Sequence, residues 1–124
     1  MKNLLVIVLL AMLPSTVAAK GAKDPNCAGV DQWPTNMAFV HLKNAGITTN
    51  AKIDFKKTKT TRLASEKIGK NLYRQIHHVT FTEKSGNKIS GITSNEASSE
   101  ECSMSGVDVF VVSRHLGENA QQGR

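Results

Sequence analysis

The spacing of apolar residues changes at Gly46, and that change sets what the chain can fold into. Ahead of it, Pro34 suits the first turn of a helix, residues 37–42 are apolar apart from His41, and Gly46 is a natural stop. Thr35, or a residue just before Pro34, is the candidate cap. The helix is apolar around most of its girth, with Asn36, Lys43 and Asn44 as its polar side, which predicts deep burial against a sheet. Behind Gly46 the period is two. Ala51, Ile53 and Phe55 alternate with Lys52, Asp54 and Lys56, and the parity extends to Thr61 and Leu63, so a long first strand is expected over residues 51–63 with a turn at 65–70.

A second strand is expected from Leu72 to about Thr82, but its alternation stumbles. Leu72 and Ile76 share one parity while Val79 and Phe81 share the other, and a bulge at His77 and His78 would reconcile them. Lys84-Ser85-Gly86-Asn87 is a hairpin turn into a third strand over residues 88–94. A polar loop then passes Cys102, and Val107, Val109 and Val111 form the last strand. One helix followed by four sequentially joined strands predicts an α+β fold, with the helix packed on a four-stranded antiparallel meander. This order of elements resembles that of cystatin-like small exported inhibitors, a likeness of topology alone with no family motif behind it.

The N-terminus carries an address. Lys2, an apolar run over residues 4–13, Pro14 and the small residues before Ala19 have the pattern of a signal peptide cleaved after Ala19. The run is about half the length a membrane-spanning helix needs. Export to the periplasm or the secreted space places Cys27 and Cys102 where disulfides persist, and the two can form a single intramolecular bond. Closing a loop of about 75 residues is worth on the order of 4 to 5 kcal/mol in the chain-entropy model. The expected organisation is a signal peptide over residues 1–19, an arm over 20–33 tied by Cys27, one domain over 34–116 and a flexible tail over 117–124.

Charge is unevenly placed. Residues 51–74 carry eight of the basic residues (Lys52, Lys56, Lys57, Lys59, Arg62, Lys67, Lys70 and Arg74) against Asp54 and Glu66, so this stretch alone accounts for a charge of +6. Clustered like charge steers association with an acidic partner, and the same lysines would also discourage edge-to-edge strand pairing. Nucleic acid is a poorer partner than the charge implies, because no aromatic residue between Lys56 and Asn71 offers a stacking platform. Tyr73 and Arg74, residue types enriched at interface hot spots, are the leading contact candidates beside that stretch.

Catalytic patterns are weak by comparison. A tetrahedral zinc site needs four ligands, and two distant cysteines do not begin one. Adjacent strand residues face opposite ways, so of His77 and His78 one is expected hydrogen-bonded at the core edge and the other in solvent, without a shared metal. His41 is expected to be partly buried with a backbone partner, and Trp33 to staple the helix entry onto the core. His41, His78 and Lys57 are the only candidate set for ribonuclease-like acid–base chemistry. Ser103-Met104-Ser105-Gly106 lacks the glycine that precedes a nucleophile elbow. No cofactor motif is present. The expected function is that of an exported protein-binding module, an inhibitor or immunity-type protein that docks an acidic partner through Lys56, Lys57, Lys59, Arg62, Lys67, Lys70, Tyr73 and Arg74. A small secreted hydrolase and a protein binding anionic lipid are the alternatives.

Overall fold

The computed structural model describes residues 24–112. One helix, α1 (Trp33–Asn44), is followed by a 3-10 turn (Phe55–Lys57) and four strands, β1 (Lys59–Gly69), β2 (Leu72–Thr82), β3 (Lys88–Ala97) and β4 (Asp108–Val112). They form an open antiparallel sheet in the order β1-β2-β3-β4, the α+β meander that the element order implies. The expected signal peptide over residues 1–19, residues 20–23 of the expected arm, residues 113–116 and the expected tail over 117–124 lie outside the described residues.

The helix ends as its sequence dictates. Gly46 adopts φ 73°, and the Ile47 and Gly46 N–H groups donate to the carbonyls of Leu42 and Lys43, both at 3.0 Å, closing a Schellman motif. Its start differs from expectation. No side chain caps it, and Thr35 instead donates its hydroxyl to the Gly29 carbonyl and meets the Thr60 hydroxyl at 2.6 Å, tying the helix to β1. Nor is the helix deeply buried: only Pro34, Thr35, Ala38 and Leu42 are, and His41 is exposed without the expected burial. Its inner face sets Ala38 and Leu42 against Ile53, Val79, Phe81 and Ile89, with Phe39 and Val109 packed beside them.

The first strand lies later in the chain than the alternation predicts. Residues 51–58 are turns, an isolated bridge between Ile53 and Glu83, and the 3-10 turn, whose entry Asp54 caps by accepting from the Lys56 N–H. Ile53 and Phe55 do share a parity, but only Ile53 reaches the core. β1 begins at Lys59 and runs through the stretch expected to turn; the chain reverses at Lys70 and Asn71, where Asn71 takes φ 50°. β2 holds no bulge, because its pairing with β3 is continuous from Tyr73 opposite Ala97 to Thr82 opposite Lys88. The inner face of β2 is Tyr73, Gln75, His77, Val79 and Phe81, a single parity whose polar members disguise it. Irregularity falls on β1, between Arg62 and Ala64 and between Lys67 and Gly69. β3 extends to Ala97, three residues past its expected end.

The inner face of the sheet thus has two halves. One is apolar and lies under α1. The other consists of Gln75, His77, Thr93 and Asn95, all buried, and is held by the N-terminal arm and the β3–β4 loop. Gln75 Nε2 donates to the Pro25 carbonyl at 2.7 Å, and Asn95 Nδ2 donates to the Cys102 carbonyl at 2.8 Å. The Cys27–Cys102 disulfide, with Cα atoms 5.8 Å apart, joins those two covering segments. Trp33 completes the link by donating its indole N–H to the Ser105 carbonyl at 3.0 Å.

Candidate functional site

Four lysines converge at one end of the sheet. Lys56, Lys57, Lys59 and Lys88 line a groove of about 480 Å³ together with Thr80, Thr82 and Gly86. The 3-10 turn supplies the first two and the start of β1 the third, whereas Lys88 comes from the far side of β2. The register explains the meeting: Lys59 lies opposite Thr80, and Thr82 opposite Lys88, so β2 forms the groove floor between two basic walls. Lys59 and Thr80 point away from α1, since their neighbours Thr60 and Val79 face it.

Little neutralises this cluster. Lys57 Nζ lies 4.0 Å from an Asp54 carboxylate oxygen, and its side chain keeps 67% of its exposure. Four like charges around a concave surface repel one another and raise the local potential, a cost that the fold itself does not require. The groove therefore favours a ligand that brings negative charge. Lys88 had no place among the sequence candidates because it lies beyond the basic stretch, and only the β2–β3 hairpin brings it in.

The remaining basic candidates divide. Lys67 and Lys70 sit at the opposite end of the β1–β2 hairpin, on the order of 25 to 30 Å along the strand from Lys59. There Glu100 accepts from Ser99 and Asn71 and is held below its usual carboxyl pKa by those hydrogen bonds. Arg74 lies across the strands between Glu66 and Glu96 and pairs with Glu96 at 3.5 Å, so carboxylates on both sides offset it. Arg62 donates to the Pro25 carbonyl at 3.3 Å and helps fix the arm. Tyr73 is 3% exposed on the inner face of β2, which withdraws it from any contact surface.

The histidines form no shared site. His77 is fully buried, and neither ring nitrogen has a hydrogen-bond partner among the described residues. Burial first, and the Arg62 charge second, hold its pKa below the ordinary 6.5, so it is neutral at pH 7. His78 faces the opposite side of the sheet, half-buried, with Nε2 3.4 Å from the Thr80 hydroxyl. His41 lies on the last turn of α1, in a shallow groove with Ile47, Val107 and Val111. The sheet stands between His41 and His78, so these two and Lys57 do not converge on one reacting atom. Among the described residues no three metal-ligating side chains come together, and no helix is long and apolar enough to cross a membrane.

No family model matches the chain, and no curated protein and no solved structure is significantly similar to it. The likeness to cystatin-like inhibitors accordingly carries no further argument, and the functional reading rests on the groove.

Proposed function

We propose that this is an exported protein-binding module that neutralises an acidic protein, in the manner of an inhibitor or immunity protein. Its docking surface centres on Lys56, Lys57, Lys59 and Lys88. The observation that supports this reading is the convergence of four lysines, three from residues 56–59 and one from the start of β3, with one carboxylate ion-paired to them among the described residues. An unneutralised concave basic surface attracts an acidic partner over distance and orients it on encounter. The disulfide between arm and loop suits an oxidising compartment and is the structural support for export.

The test is affinity capture. Oxidised protein lacking the signal peptide is mixed with envelope and secreted extracts beside a K59E/K88E variant. A stoichiometric acidic protein, released by salt and lost with the variant, is the expected result. Equal capture by both proteins overturns the reading. Retention of anionic vesicles instead of a protein would transfer the same lysines to a lipid surface.

A further inference from the structure

The groove adjoins an unused row of backbone hydrogen-bonding groups. Among the described residues β1 pairs with β2 alone, so alternate residues of β1 turn their N–H and C=O groups away from the sheet. Folded proteins blunt such edges, and β1 carries two of the usual devices. One is the pair of register shifts, which interrupts it at Arg62/Ala64 and Lys67/Gly69. The other is charge, from Lys59, Arg62 and Lys67.

Those devices are selective. A second copy of β1 brings three cations and one carboxylate, Glu66, so two copies carry net like charge against each other, whereas a strand with only acidic side chains meets the same row with attraction. The shifts also leave Lys59, Thr60, Thr61 and Arg62 as an unbroken run, with partners Thr80, Val79, His78 and His77 in strict succession. This run starts at the lysine groove. Lys59 and Thr61 face the groove side of the sheet, while Thr60 and Arg62 face the helix side, where they bond to Thr35 and Pro25.

We propose that the run over residues 59–62 accepts an extended acidic segment of the partner as a fifth strand. Side chains at alternate positions of that segment share one face, about 6.6 to 6.8 Å apart, so a carboxylate on the groove side lies beside Lys59, at the wall of the groove nearest the added strand. Main-chain hydrogen bonds hold the segment to the edge, and the lysines select its charge. This inference rests on the groove being the docking surface.

Three blocked octapeptides of alternating Glu and Val test it against the oxidised, isotope-labelled protein. One is unmodified. The other two carry N-methyl groups on alternate peptide nitrogens, one set for each row of the strand. Strand addition predicts that the unmodified peptide and one methylated form bind alike, that the other methylated form binds at least about tenfold more weakly, and that amides within residues 59–62 exchange more slowly when bound. Equal affinity for all three peptides overturns strand addition and leaves a purely electrostatic groove. Failure of the unmodified peptide to bind also overturns it, and the groove then stands or falls on capture with the K59E/K88E variant. A Lys-Val octapeptide that binds as well as the acidic one removes the charge selection.

Discussion

β1 and β2 are equally long and lie side by side, yet β2 buries six of its eleven residues and β1 buries none. The helix covers the sheet from β2 to β4 and touches β1 through Thr35 at its base. What separates the two strands is therefore what each must satisfy. β2 is written for the interior, and its side chains answer to packing and to the arm above it. β1 is held to the sheet mainly by its backbone; Thr60, Arg62 and Ser65 bond to the helix, the arm and Gln75, and most of its other side chains are left to solvent and to whatever docks there.

The sharpest way to break that contrast is to truncate one inner side chain on β2. Phe81 is 2% exposed and packs against Phe39 with ring centroids 5.8 Å apart, so Phe81→Ala should cost about 3 to 5 kcal/mol in urea unfolding. A loss below ~1 kcal/mol would mean that the helix does not close the core as described. Next comes the disulfide. Replacing Cys27 and Cys102 with serine should cost roughly 2 to 5 kcal/mol and first release the arm over Gln75, seen as faster amide exchange around residues 24–27.

A third effect depends on pH. His77 has a folded pKa below 6.5, so its contribution is fully present above pH 6.5 and is lost as the pH falls toward the folded value, because the unfolded chain takes up the proton first. The urea midpoint should drop between pH 7.5 and pH 5, and His77→Gln should flatten that interval. Glu83, held low by hydrogen bonds from Asn87 and Thr48, and Glu100 act below about pH 4.5 and do not overlap it. A slope that persists in the variant would assign the titration elsewhere. The smallest effect is expected on β1. Leu63 is 56% exposed beside a register shift, and Leu63→Ala should change stability by no more than about 0.5 kcal/mol.

The same contrast explains what the amino-acid sequence discloses. The helix stop at Gly46, the turn at 84–87 and the last strand could be read because local geometry requires the two glycines and packing requires Val107 and Val109. β1 is legible only in part: the alternation predicts a strand that overlaps it over residues 59–63, but Leu63 and Ile68 stay exposed and no apolar period marks its continuation to Gly69. The inner face of β2 is obscured for the opposite reason: Gln75, bonded to the arm, and His77 occupy core positions and break the apolar alternation there. The groove was half visible. Lys56, Lys57 and Lys59 are neighbours in the chain, but Lys88 joins them only through the register of β2 with β3.

The central claim is that position, and not basic charge in general, makes the docking surface. It is tested most directly by the affinity of the captured partner for two variants of equal charge change, K59E/K88E in the groove and K67E/K70E at the far end of the hairpin. The account predicts at least about tenfold weaker binding for the first and a change within about twofold for the second, with both folds intact by circular dichroism. Equal losses would show that the partner senses only total charge, and a larger loss at the hairpin tip would place the docking surface there.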